Sequence, residues 1–305
     1  VSRDGVLVLG EALIDLVPEP GDPGLLRAQP GGAPANVAVG LARLGTPASF
    51  AGTLGGDVFA RSIEHRLTHA GVDLSLCGRS PLPTTLAVAD PGPEGTAYHF
   101  HTDRTATFQL PDRTADVPRY GAVYVGGLAA VVEPAASTVA ATAGTAARAG
   151  LLAVDPNVRE DRTLGNGPGP DPLRELCAAA HVVKASDEDL ARLWPGREPD
   201  ASCRELAHGG KLVVMTRGAR GSTAYTAGGA VVSVPAVPVH VVNTIGAGDA
   251  FMAGMLAWLA AGAWRLDLPA DRVEAMLGHA SEVAASVCAQ AGTEPEPAMP
   301  VTLPR

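Results

Sequence analysis

The sequence predicts an α/β protein, a mostly parallel sheet with helices covering both of its faces. Three observations predict it. After Asp103, short apolar runs alternate repeatedly with helical patterns, the order that a parallel sheet with crossover helices produces. The runs Ala122–Gly126 and Leu151–Asp155 are apolar at almost every position, as strands covered on both faces must be. The chain has 305 residues, 46% of them hydrophobic, enough to bury one large core or two smaller ones.

Taken in order, Val6–Leu9 is the first apolar strand. Gly10-Glu11 follows without a G-x-G-x-x-G, so the chain does not open as a dinucleotide-binding unit. Leu13, Ile14, Leu16 and Val17 continue as an extended piece carrying Asp15, by itself an ordinary turn or edge residue. Residues 21–30 read as a loop. Gly31-Gly32-Ala33-Pro34 opens a helix with proline in its first turn. Val37, Leu41 and Leu44 give that helix a core face, Gly45 ends it, and Asn36 lies in its first turn. A second helix spans 57–70, closed by Gly71. His65 and His69 lie one turn apart on it, with no third ligand to complete a metal site. Strands at 84–89 and 96–101 form a hairpin with a long turn over 90–95, and His99 and His101 share one exposed face.

Beyond the hairpin, Ala122–Gly126 is followed by a helix over 134–149 and then by Leu151–Asp155. A strand over 181–185 runs into an acidic helix start at 186–189, a helix spans 202–208, and a strand over 211–216 runs into Arg217-Gly218-Ala219-Arg220-Gly221. Thr223 to Tyr225 and Val231–Val234 read as an antiparallel pair. The β-branched run 237–242 reads as a further strand, followed by the turn Gly246-Ala247-Gly248 and helix formers over 250–259. A long helix over 271–290 comes last. Ligands of such sheets bind at the carboxyl ends of the strands. Asp155, Ser186, Thr216 and Asp249 all lie just beyond strand ends and are expected to converge on one edge.

A net charge of −9 argues against nucleic acid or an anionic membrane as a general partner. Any phosphate must be held by local features, and the only lysines are Lys184 and Lys211. No apolar run reaches membrane length; 256–263 is too short. No basic-then-apolar leader is read at the start. Cys77, Cys177, Cys203 and Cys288 follow no metal spacing and read as reduced thiols, so a cytoplasmic setting is expected.

The chemistry centres on Gly246-Ala247-Gly248-Asp249. The first N–H groups of a helix have no partner within it, and the helix dipole places partial positive charge there. Small residues let a phosphate approach them. Asp249 reads either as an ordinary helix cap or as a group that takes the proton of a hydroxyl attacking a phosphate.

Two glycine stretches at opposite ends of the chain match one family. Gly31-Gly32-Ala33-Pro34-Ala35-Asn36-Val37-Ala38, then Gly45 and Gly55, resembles the first signature of the ribokinase-like (PfkB) carbohydrate kinases. Asn243-Thr244-Ile245-Gly246-Ala247-Gly248-Asp249 with Ala253 resembles the second. Gly10-Glu11-Ala12-Leu13-Ile14-Asp15, Asp155-Pro156-Asn157, the stretch from Lys184 to Asp189 and Thr216 to Gly221 agree as well, so the likeness covers most of the chain. There is no G-x-x-x-x-G-K-[ST], which excludes a P-loop kinase.

The resemblance implies an α/β/α sandwich spanning 1–305 as one kinase domain, with a small β lid formed by roughly 12–30 and 84–110. It also implies ATP and Mg²⁺, a sugar hydroxyl as acceptor, and lids that pair into a homodimer. Asp249 would be the general base, with the amides of Gly246, Ala247 and Gly248 holding the transferring phosphoryl group. Asp15, Asn36, Gly31, Gly32, Phe100 and Arg159 would line the sugar site, and Thr216, Gly218 and Gly221 the nucleotide loop. Ser186 and Asp189 replace the family's asparagine and glutamate near the phosphates, so Asp189 would meet Mg²⁺ through water. Lys184 reads equally as a phosphate ligand and as a strand-end lysine. Asn243 stands where the family carries aspartate; the amide keeps an oxygen for a monovalent cation but loses the charge, so potassium activation is expected to be weak.

Within the family the motifs are most similar to bacterial fructokinases, which implies phosphorylation of D-fructose at a primary hydroxyl. Kinases of 2-keto-3-deoxygluconate are near relatives on the same motifs. They usually carry an arginine where this chain has Thr102, which favours a neutral sugar, while Arg159 keeps the acid open. The same motifs also suit a nucleoside kinase or a catalytically impaired sugar-binding regulator.

Overall fold

The computed structural model describes residues 5–19, 21–92, 95–159, 170–296 and 301. The strands are β1 (Val6–Leu9), β2 (Leu13–Glu19), β3 (Asp22–Gly31), β4 (Ala48–Phe50), β5 (Thr53–Leu54), β6 (Gly78–Arg79), β7 (Leu86–Gly92), β8 (Gly95–His101), β9 (Ala122–Gly126), β10 (Leu151–Asp155), β11 (Val182–Ser186), β12 (Leu212–Thr216), β13 (Ser222–Tyr225) and β14 (Val231–Val234). The helices are α1 (Ala33–Arg43), α2 (Val58–His69), α3 (Ala135–Ala149), α4 (Asp171–Ala179), α5 (Asp187–Leu193), α6 (Pro199–Ala207), α7 (Ala247–Ala261) and α8 (Ala270–Cys288).

Eight strands form the central sheet in the order β14-β13-β12-β11-β10-β9-β1-β4. All neighbours from β12 to β4 are parallel, and only β13 and β14 run antiparallel at one edge. Strand alternation divides the apolar residues between two cores. Val6 and Val8 of β1 face the layer that holds α1, α2, α7 and α8, whereas Leu7 and Leu9 face α3, α4, α5 and α6. Every β1 side chain is therefore buried, which explains its unbroken apolar run. The fold is the expected α/β/α sandwich. Among the described residues no helix is long and apolar enough to cross a membrane.

A second sheet, ordered β3-β2-β7-β8, comes from 13–31 and 86–101. Its β3 corrects the loop expected over 21–30. Pro23, Gly24 and Pro30 obscure the strand in sequence, but β3 is an edge strand, where proline's missing N–H is tolerated. The hairpin strands run further than expected, to Gly92 and from Gly95, which face each other in register. Pro93 and Glu94 of the expected turn lie outside the described residues.

The strand expected over 237–242 does not form. Pro235 and Pro238 remove backbone donors that pairing along the open edge of β14 would need. The segment crosses instead to the end of α8, where the N–H groups of Val242 and Asn243 donate to the Cys288 carbonyl. The other expected helices and strands form within a few residues of their expected limits, and α4, β4, β5 and β6 are additions to them.

Candidate active site

The carboxyl ends of the parallel strands lie side by side. Asp155 closes β10 opposite Gly126, and Ser186 closes β11 opposite Thr216. The N-terminus of α7 comes down on this edge. Gly246 precedes the helix in the left-handed region at φ 81, where a Cβ would also stand 3.0 Å from Cβ of Thr293. Asp249 lies in the first turn, but its side chain caps nothing. The carboxylate is turned inward and buried, and its Oδ2 accepts from Asn36 Nδ2 at 2.8 Å.

Asp249 stands at the back of a polar cavity. Glu11, Asp15, Gly32, Asn36, Tyr98, Phe100, Gly127, Asn157, Arg159 and Gly246 are among its other walls. Two glycines let these walls come together. A Cβ on Gly31 would lie 2.0 Å from Asp15 Oδ2, and one on Gly32 would lie 2.7 Å from the Glu11 carbonyl. The second sheet supplies Asp15 from β2 and the stacked rings of Tyr98 and Phe100 from β8, 6.0 Å between centroids. The guanidinium carbon of Arg159 lies 6.0 Å from the Tyr98 ring centroid, in cation–π range. Burial raises Asp15 to about 6, with Arg159 the largest opposing charge. Burial raises Asp249 as well, opposed first by the Asn36 hydrogen bond and then by Lys184.

On the other side of the α7 N-terminus lies a cleft of ≈ 630 Å³. Thr216, Gly218 and Gly221 form one wall; Val237, Val239 and Val241 form another; Ala247 and Gly248 lie at its end. The segment that failed to become a strand is thus an apolar wall of this cleft. Lys184 Nζ reaches the same helix end, 3.1 Å from where a Cβ on Gly248 would lie. It donates to Asp155 Oδ2 at 2.8 Å inside the protein. Burial alone would lower the Lys184 ammonium, but Asp155 and Asp189 outweigh it and hold it above its ordinary value.

Ser186 and Asp189 line neither cavity. They form a capping box at the start of α5: Ser186 Oγ accepts from Asp189 N, and Asp189 Oδ2 accepts from Ser186 N, both at 2.9 Å. Asp189 Oδ1 accepts from Val158 N at 2.8 Å, so both oxygens serve the backbone. Asn243 is used locally too: Oδ1 accepts from Ile245 N at 3.0 Å and Nδ2 donates to the Ala291 carbonyl at 3.3 Å. Among the described residues no group of three or more His, Cys, Asp or Glu is placed to hold a metal ion, and His65 and His69 simply stack.

Glu11 belongs to the site, although in sequence it stands out only as one member of a motif. It is buried, its carboxylate accepts from Leu128 N and Ala129 N at 3.2 and 3.0 Å, and burial raises it to about 7. The rule that ligands gather at strand carboxyl ends, applied to β1, would have found it. Tyr98 was equally legible, two residues before Phe100 on the same strand face.

A fructokinase from Rhizobium leguminosarum bv. trifolii is 35% identical over 263 residues, 83% of this chain and 79% of its own length. Among solved structures, ATP-bound fructokinase from Xylella fastidiosa superposes with a TM-score of 0.86 at 27% identity, covering 96% of this chain and 94% of that one. A double mutant of fructokinase from Vibrio cholerae O395, with fructose, ADP and potassium bound, gives 0.81 at 26% identity, covering 96% and 94%. The model of the pfkB family carbohydrate kinases matches residues 3–299, and the chain belongs to that family.

Proposed function

We propose that this protein transfers the terminal phosphoryl group of ATP to a primary hydroxyl of D-fructose, giving fructose 6-phosphate. The observation that carries the reading is the position of Asp249. Its buried carboxylate stands at the helix N-terminus that divides a polar cavity from a larger apolar cleft. The polar cavity takes the sugar, with Asp15, Asn36, Gly31, Gly32, Phe100 and Arg159 around it. The cleft takes the nucleotide, its base against the valines and its ribose near Thr216, Gly218 and Gly221. The second sheet is the lid of a single kinase domain, and its exposed Leu25 and Leu26 support pairing with a second copy.

The residues divide the chemistry between them. Asp249 takes the proton as the hydroxyl's O–H bond breaks and its oxygen bonds to phosphorus, while the bond from that phosphorus to the bridging oxygen breaks and ADP leaves. Burial raises its basicity, while the Asn36 hydrogen bond and the nearby Lys184 favour its charged form. The Gly246, Ala247 and Gly248 amides and Lys184 meet the charge that gathers on the phosphoryl oxygens. Mg²⁺, when bound with the nucleotide, neutralises charge on the phosphates. Asp189 already serves two backbone N–H groups, so it takes part only through water. A monovalent cation at Asn243 meets an amide without a full charge.

The fructokinase names of the relatives favour fructose, and Thr102 in place of arginine agrees. Arg159 in the sugar cavity is the one observation that favours a sugar acid. Measuring kcat/KM by ADP release with fructose, 2-keto-3-deoxygluconate, ribose and adenosine decides between them. Fructose is expected to lead. A preference of about tenfold or more for the keto acid, roughly 1.4 kcal/mol, overturns the substrate and leaves the reaction standing. No ADP release with any of them points to a sugar-binding regulator.

A further inference from the structure

Asn36 is held from both ends of its amide. Nδ2 donates to Asp249 Oδ2 at 2.8 Å, and Oδ1 accepts from Arg66 Nη1 at 2.9 Å. An amide can turn over and exchange these ends, and only the donor end suits the carboxylate of Asp249. A guanidinium can only donate, so Arg66 dictates which end of Asn36 faces it.

Sequence does not single out Arg66. It is a basic residue in the last turn of α2, where favourable contact with the helix dipole is the ordinary role. Here the guanidinium spreads over four acceptors in three parts of the chain. Besides Asn36 in α1, Nη1 donates to the Pro30 carbonyl of β3 at 3.2 Å, Nε to Glu294 Oε1 at 2.9 Å, and Nη2 to Thr293 Oγ1 at 3.0 Å. Arg43 of α1 also pairs with Glu294. Thr293 in turn lies against Gly246, the residue that begins the phosphate turn. One side chain, 11% exposed, therefore joins the base's hydrogen-bond partner to the segment that backs the glycine turn.

We infer that Arg66 is a positioning residue for phosphoryl transfer: it orients the Asn36 amide toward Asp249 and locks that orientation to the seating of Thr293 and Glu294. The inference rests on the reading of Asp249 as general base. A lysine cannot stand in, because its ammonium is a point charge with three donors and lacks the planar fork that reaches these acceptors together.

The test is a double-mutant cycle in the full chain with ATP and fructose. Arg66→Met is expected to lower kcat about tenfold with KM for ATP nearly unchanged, and to cost less than about twofold once Asn36→Ala has removed the group it orients. Arg66→Lys, which keeps the charge and most of the stem, is run through the same cycle and should not restore kcat. It also carries the test should the Met variant fail to fold. Equal losses in both backgrounds, or recovery of wild-type kcat by Arg66→Lys, overturn the inference and leave Asp249 in place. Wild-type kcat in Asp249→Asn overturns the base assignment, and the inference with it.

Discussion

On one side of the α7 N-terminus, Glu11, Asp15, Asn36 and Asp249 converge from three parts of the chain on a polar cavity. On the other, the cleft is walled by valines, alanines and glycines, with Lys184 reaching only its end. The first side would recognise its ligand through directed bonds from an amide and from carboxyl groups that burial has made reluctant to ionise. The second would do so through apolar contact and exposed backbone. The same helix start would serve both, by its inward carboxylate on one side and its amides on the other. Substitutions on the polar side should therefore act on turnover and acceptor choice, and those on the apolar side on use of the nucleotide.

The sharpest way to break this division is Asp249→Asn. It should cut kcat by roughly 10²–10⁴, the range for loss of a general base, while both ligands still bind by calorimetry. Near-normal turnover would make the polar side a binding site only. Gly248→Val probes the boundary. Its side chain would meet Lys184 Nζ, where a Cβ already comes within 3.1 Å, and would stand between phosphate and the helix amides. A fall of roughly 10–100-fold in kcat/KM for ATP is expected, with the circular dichroism spectrum unchanged. Full activity would move the phosphate elsewhere.

Glu11 sharpens the comparison through stability. Its folded value near 7 lies above the ordinary 4.5, so between these values the folded protein keeps a proton that the unfolded chain has released. Stability therefore falls as pH rises through this window, by an amount on the order of 1–3 kcal/mol from this group. Urea unfolding at both ends of the window should show a shallower fall for Glu11→Gln than for the wild type. Equal slopes would mean that Glu11 is not buried as a carboxylic acid. The smallest effect concerns Asn243, whose amide is occupied by Ile245 and Ala291. Potassium should stimulate the wild type less than it stimulates Asn243→Asp, by about two- to threefold, since a carboxylate adds the charge a monovalent cation needs. Strong stimulation of the wild type that the aspartate does not increase would count against this.

What the sequence determined by itself was local. The period of the apolar runs marked the central strands, proline and glycine marked the start and end of α1, and the acidic stretch after β11 marked the start of α5. Each rests on contacts within a few residues, which turn chemistry and side-chain period report directly. The two glycine signatures marked the ends of the site for the same reason.

The tertiary structure decided what depends on a distant partner. Residues 21–30 became a strand because β2 lay beside them, and 237–242 did not, their end bonding instead to the Cys288 carbonyl at the end of α8. Asp15 reads in sequence as an edge residue and reaches the site only because β2 carries it over Gly31. Asn36 and Asp249 are 213 residues apart in sequence and 2.8 Å apart in space. Arg66 has no signal at all in its own neighbourhood. A hydrogen bond between side chains needs only that the fold bring donor and acceptor together, and no periodicity along the chain records that meeting.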